Sequence, residues 1–428
     1  MAEIAATASS PADIRNRNLR AQRLIIIFGV FAITMASPVV LAGLPLRFLL
    51  KGEVHVTQEQ MALFFFWCQL AFYLKPLAGI LTDAFPIFGT RRRHYLLISS
   101  VLAASSWIGM NFLPHKFGAI LFGAMVVNLF MVMASTVIGG YLVEAGQSNG
   151  ATGELTALRL MVANFCELAQ GPLGGFLATA GFIWTTVANA VVALAIFPLA
   201  YFFLREQAVP QQGSGVVLQN ARRQLKAIMR SKSLWMALLF IGLDFFAPGF
   251  NTPLYYKQTD ELHFSQQAIG NLGAFSGGFA ILAAIAYVPL IKQFSIRVLL
   301  FISILATALE TLFYLFYSDW PRAMLIESQN GFFSAFATVA LFDLAARSIP
   351  KACEALGYSL IMSVINVASS ASDVVGSHLA DNHWTFAHLI YLNAGTTAIV
   401  LVLLPFLPSA LMRKKDAVQS TEILPEPA

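Results

Sequence analysis

Long apolar stretches, each sufficient to cross a lipid bilayer as a helix, recur along this chain of 428 residues. A membrane-spanning helix needs about 20 consecutive, mainly apolar residues. Twelve stretches meet this requirement, so the pattern predicts an all-α integral membrane protein with twelve transmembrane helices. The predicted spans are 24–46, 59–82, 95–113, 118–142, 156–178, 182–204, 233–256, 267–290, 296–317, 322–346, 355–379 and 385–411.

One hydrophilic segment, 205–231, divides the predicted spans into two sets of six. Its start is rich in Gln, Gly and Ser, and a basic run compatible with a helix follows, which is typical of a linker lying along the membrane surface. Two six-helix bundles joined in this way are the layout of the major facilitator fold, whose substrate site lies between the halves near mid-membrane. The predicted organisation is a tail (1–23), a first bundle (24–204), the linker (205–231), a second bundle (232–411) and a tail (412–428).

The composition supports a lipid environment. Hydrophobic residues make up 57% of the chain and charged residues only 11%, whereas soluble proteins carry about 25% charged residues. This excludes a soluble enzyme, a nucleic-acid-binding domain and a disulfide scaffold, because the surface would also have to be apolar. Cys68, Cys166 and Cys353 lie far apart in or beside apolar runs, which favours buried side chains over a metal site.

The positive charges predict how the chain is oriented. Lys and Arg are concentrated in the loops on the side of the two termini, above all in 1–23, Arg91–Arg93 and the linker. Positively charged short loops stay in the cytoplasm. We therefore expect both termini to be cytoplasmic, in a plasma membrane such as the bacterial inner membrane. Because the start is polar and rich in arginine, we expect no cleavable secretory signal ahead of the first span.

Four ionisable side chains fall deep inside predicted spans. They are Lys75 in the second span, Glu167 in the fifth, Asp244 in the seventh and Asp373 in the eleventh. A charge at that depth costs about 2.5–3.5 kcal/mol on insertion scales, so such residues normally face a water-filled cavity or a partner. We expect them to line a substrate pathway. A structural ion pair, for example between Lys75 and Glu167, is the alternative.

Further polar residues share helix faces with these charges. In the eleventh span they recur at alternating spacings of four and three, which places them on one face. That face predicts a hydrated pathway, while small-residue packing with hydrogen bonds between helices is the alternative. The polar residues on it are Ser359, Ser363, Asn366, Ser370, Asp373 and Ser377. The predicted substrate-binding residues are Lys75, Glu167, Gln170, Asp244, Asn251, Asn366 and Asp373.

A motif at the end of the second span predicts a conformational latch. Gly79 and Asp83 are followed by Arg91, Arg92 and Arg93, which resembles the cytoplasmic gating motif of the major facilitator superfamily. Glycine lets two helices approach closely, and the Asp carboxylate can accept hydrogen bonds from a helix N-terminus and from the arginines. The alternative, a positively charged membrane anchor, explains the arginines but not an Asp at that spacing.

The same region carries a resemblance to a known family. Residues 75–95, KPLAGILTDAFPIFGTRRRHY, resemble the signature of the folate-biopterin transporter family, a branch of the major facilitator superfamily. Residues 262–273, LHFSQQAIGNLG, resemble that family's entry into the eighth span, and 349–376 resembles its tenth-to-eleventh segment. The resemblance touches both halves. It implies the uptake of pterins or folates, driven by protons.

Pterins and folates are chemically compatible with the candidate residues. A carboxylate such as Glu167, Asp244 or Asp373 can accept two hydrogen bonds from the amino-pyrimidine edge of a pterin ring, and Lys75 or Arg47 can meet a folate carboxylate. The fourth span departs from the family's usual pattern, because 134–141 contains no acidic residue. A major facilitator transporter of another solute, such as a sugar, a peptide or a cell-wall fragment, is therefore the alternative.

We thus expect a monomeric secondary transporter that works by alternating access around a central site. No ATP-binding motif is present, so transport would draw on an ion gradient or run downhill. If protons are coupled, Glu167 and Asp244 in mid-membrane are the expected carriers. No constellation of a nucleophile or metal ligands predicts an enzyme, and no large extramembrane segment predicts a receptor. The expected partners are a small-molecule substrate, a coupling proton and lipid, with no cofactor, metal or nucleic acid.

Overall fold

The computed structural model describes residues 11–90, 92–149, 152–204, 214–350 and 353–408. Within these ranges the chain is nearly all helical, and the only β-type pairing is a single bridge between Ile87 and Thr90. Arg91, much of both predicted tails and 205–213 of the predicted linker lie outside the described residues. The prediction of an all-α fold is confirmed.

The first half contains six helical spans, numbered here in chain order. Their helices are Pro11–Met35 and Gly43–Gly52 (span 1); Gln58–Cys68, Leu70–Tyr73 and Lys75–Ala84 (span 2); Arg93–Gly109 and Met110–Phe112 (span 3); Phe117–Asn149 (span 4); Thr152–Ala180 (span 5); and Phe182–Leu194, Ile196–Pro198 and Leu199–Phe203 (span 6).

The second half follows the amphipathic helix Ser214–Arg230, called here the linker helix. Its six spans contain the helices Lys232–Phe245, Asn251–Tyr256 and Lys257–Glu261 (span 7); Gln266–Gln293 (span 8); Ile296–Thr311 and Leu312–Phe316 (span 9); Trp320–Ser348 (span 10); Glu354–Asp381 (span 11); and Phe386–Val400 and Leu401–Phe406 (span 12).

The outer surface of both halves is apolar, as lipid contact requires. Large side chains that are more than half exposed include Phe122 (65%), Phe176 (62%), Ile285 (64%) and Ile399 (65%). Seven of the described helical segments are long and apolar enough to cross a membrane without interruption. So much exposed apolar surface is typical of a protein that is solvated by acyl chains.

Several of the other spans are interrupted, and side chains satisfy the backbone groups that the interruptions free. Span 1 breaks after Met35, where the Trp107 indole donates a hydrogen bond to the Ala36 carbonyl at 3.0 Å. Span 2 turns after Cys68, whose carbonyl accepts a hydrogen bond of 2.7 Å from Asn128. Irregular backbone is tolerated at membrane depth only where the protein itself provides such partners.

The break in span 7 lies against span 11. The Gly249 N–H donates to the Ser372 carbonyl at 3.0 Å, and the Ser372 hydroxyl donates to the Ala247 carbonyl at 2.6 Å. Gly376 lets the two backbones approach, because a Cβ at that position would overlap the Gly249 carbonyl. The Pro248–Gly249 interruption is therefore held in place by a neighbouring helix.

Each half has its own apolar core. Phe64, Trp107 and Met131 are fully buried in the first, and Phe240 and Leu300 are fully buried in the second. Between the halves, span 5 packs on span 8 and span 2 packs on span 11. The fold is therefore two six-helix bundles that face each other along these two pairs of spans.

Candidate functional site

The two ends of the bundle differ in how the halves meet. The linker helix packs against Lys75–Ala84 of span 2, and we call this the linker end and the opposite one the far end. At the far end, side chains from the two halves are bonded directly to each other. The cross-half contacts are Lys51 with Asp260 and Thr259, Arg47 with Thr252 at 2.9 Å, Glu59 with His378 at 2.9 Å, and the Tyr256 hydroxyl with the Val56 carbonyl at 2.5 Å.

A carboxylate of the second half also caps a helix of the first. Asp381, the last residue of span 11, accepts hydrogen bonds from the Gln58 and Glu59 backbone N–H groups at 3.3 and 2.9 Å. These N–H groups belong to the first turn of span 2, which has no intrahelical acceptors for them. An acidic group at a helix N-terminus stabilises that end. Asp381 therefore joins the halves while it completes span 2.

Asp373 takes part in the same closure, beneath the surface. Its carboxylate accepts hydrogen bonds from the Thr252 N–H at 2.9 Å and the Thr252 hydroxyl at 2.6 Å. The hydroxyl oxygen in turn accepts from Arg47 of the first half, whose guanidinium lies 4.6 Å from the centre of the Phe65 ring. Arg47, Thr252 and Asp373 thus link spans 1, 7 and 11 by charge-assisted hydrogen bonds.

Toward the linker end, the halves enclose a cavity of about 430 Å³. This volume lies within the range of small-molecule sites, about 300–1,000 Å³. Spans 2, 4 and 5 line it from the first half, span 11 lines it from the second, and the linker helix completes the wall. Its polar lining residues are Lys75, Thr82, Arg92, Ser135, Thr136, Glu144, Arg159, Gln224, Tyr358 and Ser359.

Positive charge predominates in this cavity. Lys75, Arg92 and Arg159 line it, while Glu144 is the only acidic residue among the described side chains of the lining. Arg92 forms an ion pair with Glu144, and the Lys75 ammonium donates a hydrogen bond to the Ser135 hydroxyl at 2.8 Å. Cations on low-dielectric walls concentrate their field in a cleft, so an anionic group entering the cavity is attracted.

The other predicted binding residues lie apart from this lining. Glu167 is exposed on span 5, Gln170 and Asn366 are half-buried, and Asn251 is exposed just past the break in span 7. Asp244 is half-buried in span 7, shortly before the Pro248–Gly249 interruption. Its Oδ1 atom is buried and has no hydrogen-bond partner among the described residues.

For the ion pair considered between Lys75 and Glu167, the structure shows a different geometry. The Lys75 ammonium donates its hydrogen bond to the Ser135 hydroxyl, and Glu167 does not line the cavity that Lys75 lines.

The polar face of span 11 runs along the contact between the halves. Ser359 lines the cavity, Ser370 accepts a hydrogen bond from Gln69 of span 2 at 3.4 Å, and Asp373 belongs to the far-end contacts. Asn366 lies on the same face between the cavity and the far end. The polar face of span 11 therefore runs from the cavity, where the halves are separated, to the far end, where they are bonded to each other.

The predicted latch motif lies at the cavity's edge. Gly79 lines the cavity, and the buried Arg92 guanidinium lies beside Gly140 of span 4, with a nitrogen 3.4 Å from where a Cβ would stand. Arg93 donates to the Tyr201 carbonyl at 3.1 Å. Asp83 belongs to helix Lys75–Ala84, but its side chain, like all of Arg91, lies outside the described residues.

Sequence reasoning missed most of the far-end contacts. Lys51, Glu59, Asp260 and His378 fall at the ends of predicted spans, where interfacial solvation is enough to explain a charge. Their partners are about 200 to 320 positions away in the chain, and no local pattern reports a contact over that separation. Ser135 gave no signal either, because hydroxyl residues are common in helix packing.

The structure has the major facilitator fold, in which two six-helix bundles span a membrane. A crystal structure of the D-xylose-proton symporter matches with a TM-score of 0.66 and 16% identity, over 94% of this chain and 99% of that one. A crystal structure of the nucleoside transporter NupG matches with a TM-score of 0.66 and 13% identity, over 93% and 100%. At such low sequence identity, the structural similarity shows that the fold is shared and nothing more.

The chain belongs to the BT1 family, whose model matches residues 39–425. It is 25% identical over 415 residues to a folate-biopterin transporter of Synechocystis, with 89% of this chain and 81% of that protein covered. It is 23% identical over 404 residues to folate transporter 1 of Plasmodium falciparum, with 88% and 78% covered. The resemblance to folate-biopterin transporters is therefore confirmed.

Proposed function

We propose that this protein is a secondary active transporter that carries a folate- or pterin-like solute across the membrane by alternating access. One observation carries the proposal. The halves bond to each other at the far end and leave a cation-lined cavity at the linker end. This is the arrangement expected of a transporter that is open to one side only, with its site between the halves.

The orientation follows from the charge pattern. Positively charged loops face the cytoplasm, so the linker end is the cytoplasmic end, and the cavity belongs to an inward-facing state. The protein then lies in a plasma membrane, the bacterial inner membrane in a bacterium, with both termini inside. The domain organisation is the predicted one, two bundles at 24–204 and 232–411 joined by 205–231, and the transporter acts as a monomer.

The cavity chemistry supports an anionic cargo. Folate carries carboxylates on its glutamate moiety, and Lys75 and Arg159 supply cations for them at the cavity wall. Arg92 is occupied by Glu144, so it acts in the latch with Gly79. The names of the relatives, folate-biopterin transporter and folate transporter, support the same class of cargo.

The remaining predicted residues act deeper between the halves. Glu167 and Asp244 carry the coupling proton and accept hydrogen bonds from the amino-pyrimidine edge of the cargo. Gln170, Asn251 and Asn366 complete the polar path. Asp373 joins that path only after the far-end contacts open, because Thr252 occupies both of its oxygens in the closed form.

Uptake of labelled folate tests the proposal most simply. Cells that produce the protein should accumulate more labelled folate than matched cells without it, unlabelled pterin should compete, and an inwardly directed proton gradient should raise the rate. Uptake that differs in no condition from the matched cells would contradict the proposed cargo. Competition by sugars or peptides, but not by pterins, would assign the cavity to another solute.

A further inference from the structure

Two glutamates are buried together in the second half, away from the cavity. Glu310 lies near the far end of span 9 and is 2% exposed, and Glu327 lies in the third turn of span 10 and is 9% exposed. The two helices that carry them, Ile296–Thr311 of span 9 and Trp320–Ser348 of span 10, pack directly against each other. Neither glutamate lines the cavity. The proposed function leaves both without a role.

Their hydrogen bonding is unequal. Glu327 accepts a hydrogen bond from the Tyr317 hydroxyl at 3.2 Å and another from the Tyr314 hydroxyl. The Oε2 atom of Glu310 is also buried, but it has no hydrogen-bond partner among the described residues. One carboxylate is therefore supplied with donors, while the other holds an unpartnered oxygen in the interior.

The surroundings provide no positive charge for this pair. Among the described residues, no Lys, Arg or His forms an ion pair with either glutamate, and no group of three metal-ligating side chains is found. The neighbouring cluster is apolar and includes Leu254, Ile326 and Ile390. Two adjacent, uncompensated carboxylate charges are very costly in such a place. A proton on one carboxyl removes that cost.

A chain of hydrogen bonds connects the pair to the far-end closure. The Gln258 amide donates to the Tyr317 hydroxyl at 2.6 Å, and Tyr317 donates to Glu327. Gln258 belongs to the helical turn Lys257–Glu261 that ends span 7. The next two residues of that turn, Thr259 and Asp260, both bond to Lys51 of the first half. Two hydrogen bonds therefore separate the carboxylate from the turn that closes the far end.

We propose that Glu310 and Glu327 form a proton-binding site whose occupancy controls closure of the far end. With a proton bound, the pair stays buried and the turn Lys257–Glu261 holds Lys51. When the proton leaves, the two like charges require water, which reaches them only if the far-end turn moves. The far end then opens. This site is separate from Glu167 and Asp244, and it operates without cargo, so its test is independent of the folate proposal.

Other titratable groups near the closure must be distinguished from the pair. Tyr314 and Tyr317 face the pair from the end of span 9 and the adjoining residue. Farther out, Lys51–Asp260, Lys257–Glu261, Glu59–His378 and Glu53–His115 are ion pairs at the far end. Two of these pairs contain a histidine: Glu59–His378 joins the two halves, whereas Glu53–His115 lies within the first half. His378 is therefore the competing source of a pH response.

The experiment measures a distance across the far end in the purified full-length protein, in nanodiscs and without cargo. Spin labels at Lys116→Cys and Ser318→Cys occupy exposed positions at the far end of the two halves, and the native cysteines that could compete are buried. Between about pH 5 and about pH 9, we expect the far-end-open population to rise. The rise should be lost in Glu310→Gln and in Glu327→Gln, which both imitate the protonated pair.

Three further variants make the result decisive. His378→Gln and Glu261→Gln should keep the rise, while Tyr317→Phe, which retains both carboxyls but cuts their link to Gln258, should lose it. The tyrosine variant keeps the proposal testable if a glutamine variant does not fold. A rise that persists in Glu310→Gln, or one that His378→Gln abolishes, would overturn the proposal. Closure at high pH by sodium ions but not by choline would also overturn it, because the pair would then bind a metal cation.

Discussion

Lys75 shows at the residue scale how this protein handles charge within a membrane. Ser135 takes one of its ammonium donors, and the Phe72 ring lies 5.9 Å away. An ammonium group has three donors, so two are left for a ligand. The depth of this lysine within a span is the feature that pointed to a function in the sequence, and the structure places it in the wall of the cavity.

Replacing this lysine should weaken binding of a carboxylated cargo. A hydrogen bond to a charged group contributes about 1.5–3 kcal/mol, so we expect Lys75→Met to raise the KM for folate uptake by about 10- to 100-fold. The KM for a pterin without a glutamate moiety should change little. Initial uptake rates at a series of concentrations measure both values.

Two matched variants complete this test. Lys75→Arg keeps the charge and should retain part of the affinity, while Lys116→Met removes an exposed lysine at the far end and should have no effect. An equal loss for folate and for the pterin would contradict a role in carboxylate binding.

Thr252 is the residue on which the buried far-end contacts converge. Thr252→Val keeps the shape of the side chain but removes the hydroxyl that joins Arg47 to Asp373. Because both lost hydrogen bonds involve charged groups, we expect the far-end-open population to rise about 10-fold or more. Distance measurements between spin labels across the far end report this population.

The appropriate control removes a buried threonine that bonds only within one half. Thr186 is fully buried and bonds Asn111 of the same half. Thr186→Val should therefore lower thermal stability without changing the distance distribution. An equal shift in both variants would show that the Thr252 effect is general destabilisation.

At the scale of a single helix, Asp381 provides a cap that crosses between the halves. Loss of a helix cap typically costs about 1 kcal/mol, so Asp381→Ala should raise the far-end-open population about 5-fold. The far-end distance distribution measures this change, and thermal unfolding is recorded in parallel.

Asp319 offers a matched control for this cap. It accepts a hydrogen bond from the Arg322 N–H at 3.1 Å and so caps span 10 within its own half. Asp319→Ala should reduce thermal stability to a similar extent and leave the far-end distances unchanged. If Asp381→Ala also lowered thermal stability without changing the far-end distances, the Asp381 cap would have no part in closing the far end.

The helices themselves were largely predictable from the sequence, and their interruptions only partly. Pro38 lies at the break in span 1 and Pro248 at the break in span 7, because proline cannot donate a backbone hydrogen bond, but Pro172 lies inside the continuous helix of span 5. The turn after Cys68 in span 2 was not predicted, since the sequence around Cys68 is mainly apolar and the turn depends on Asn128 of span 4. A local pattern does not contain a partner that comes from another helix.

At the scale of the whole molecule, apolar periodicity and charge placement predicted two six-helix bundles, and the structure confirms this fold. The site was predictable only in part. Lys75, Gly79 and Arg92 line the cavity, and so does Arg159, which was not among the predicted binding residues. The far-end contacts join positions such as Glu59 and His378, whose proximity arises only when the bundles meet.

The central claim is that cargo crosses only when these far-end contacts separate. The most direct test joins the halves covalently at Glu59→Cys and His378→Cys, a half-buried and an exposed position whose native side chains are 2.9 Å apart. Folate uptake into proteoliposomes is then measured before cross-linking, after cross-linking and after reduction. We expect uptake to be lost on cross-linking and restored by reduction, with each single-cysteine variant unaffected. Undiminished uptake by the fully cross-linked protein would contradict alternating access through this end.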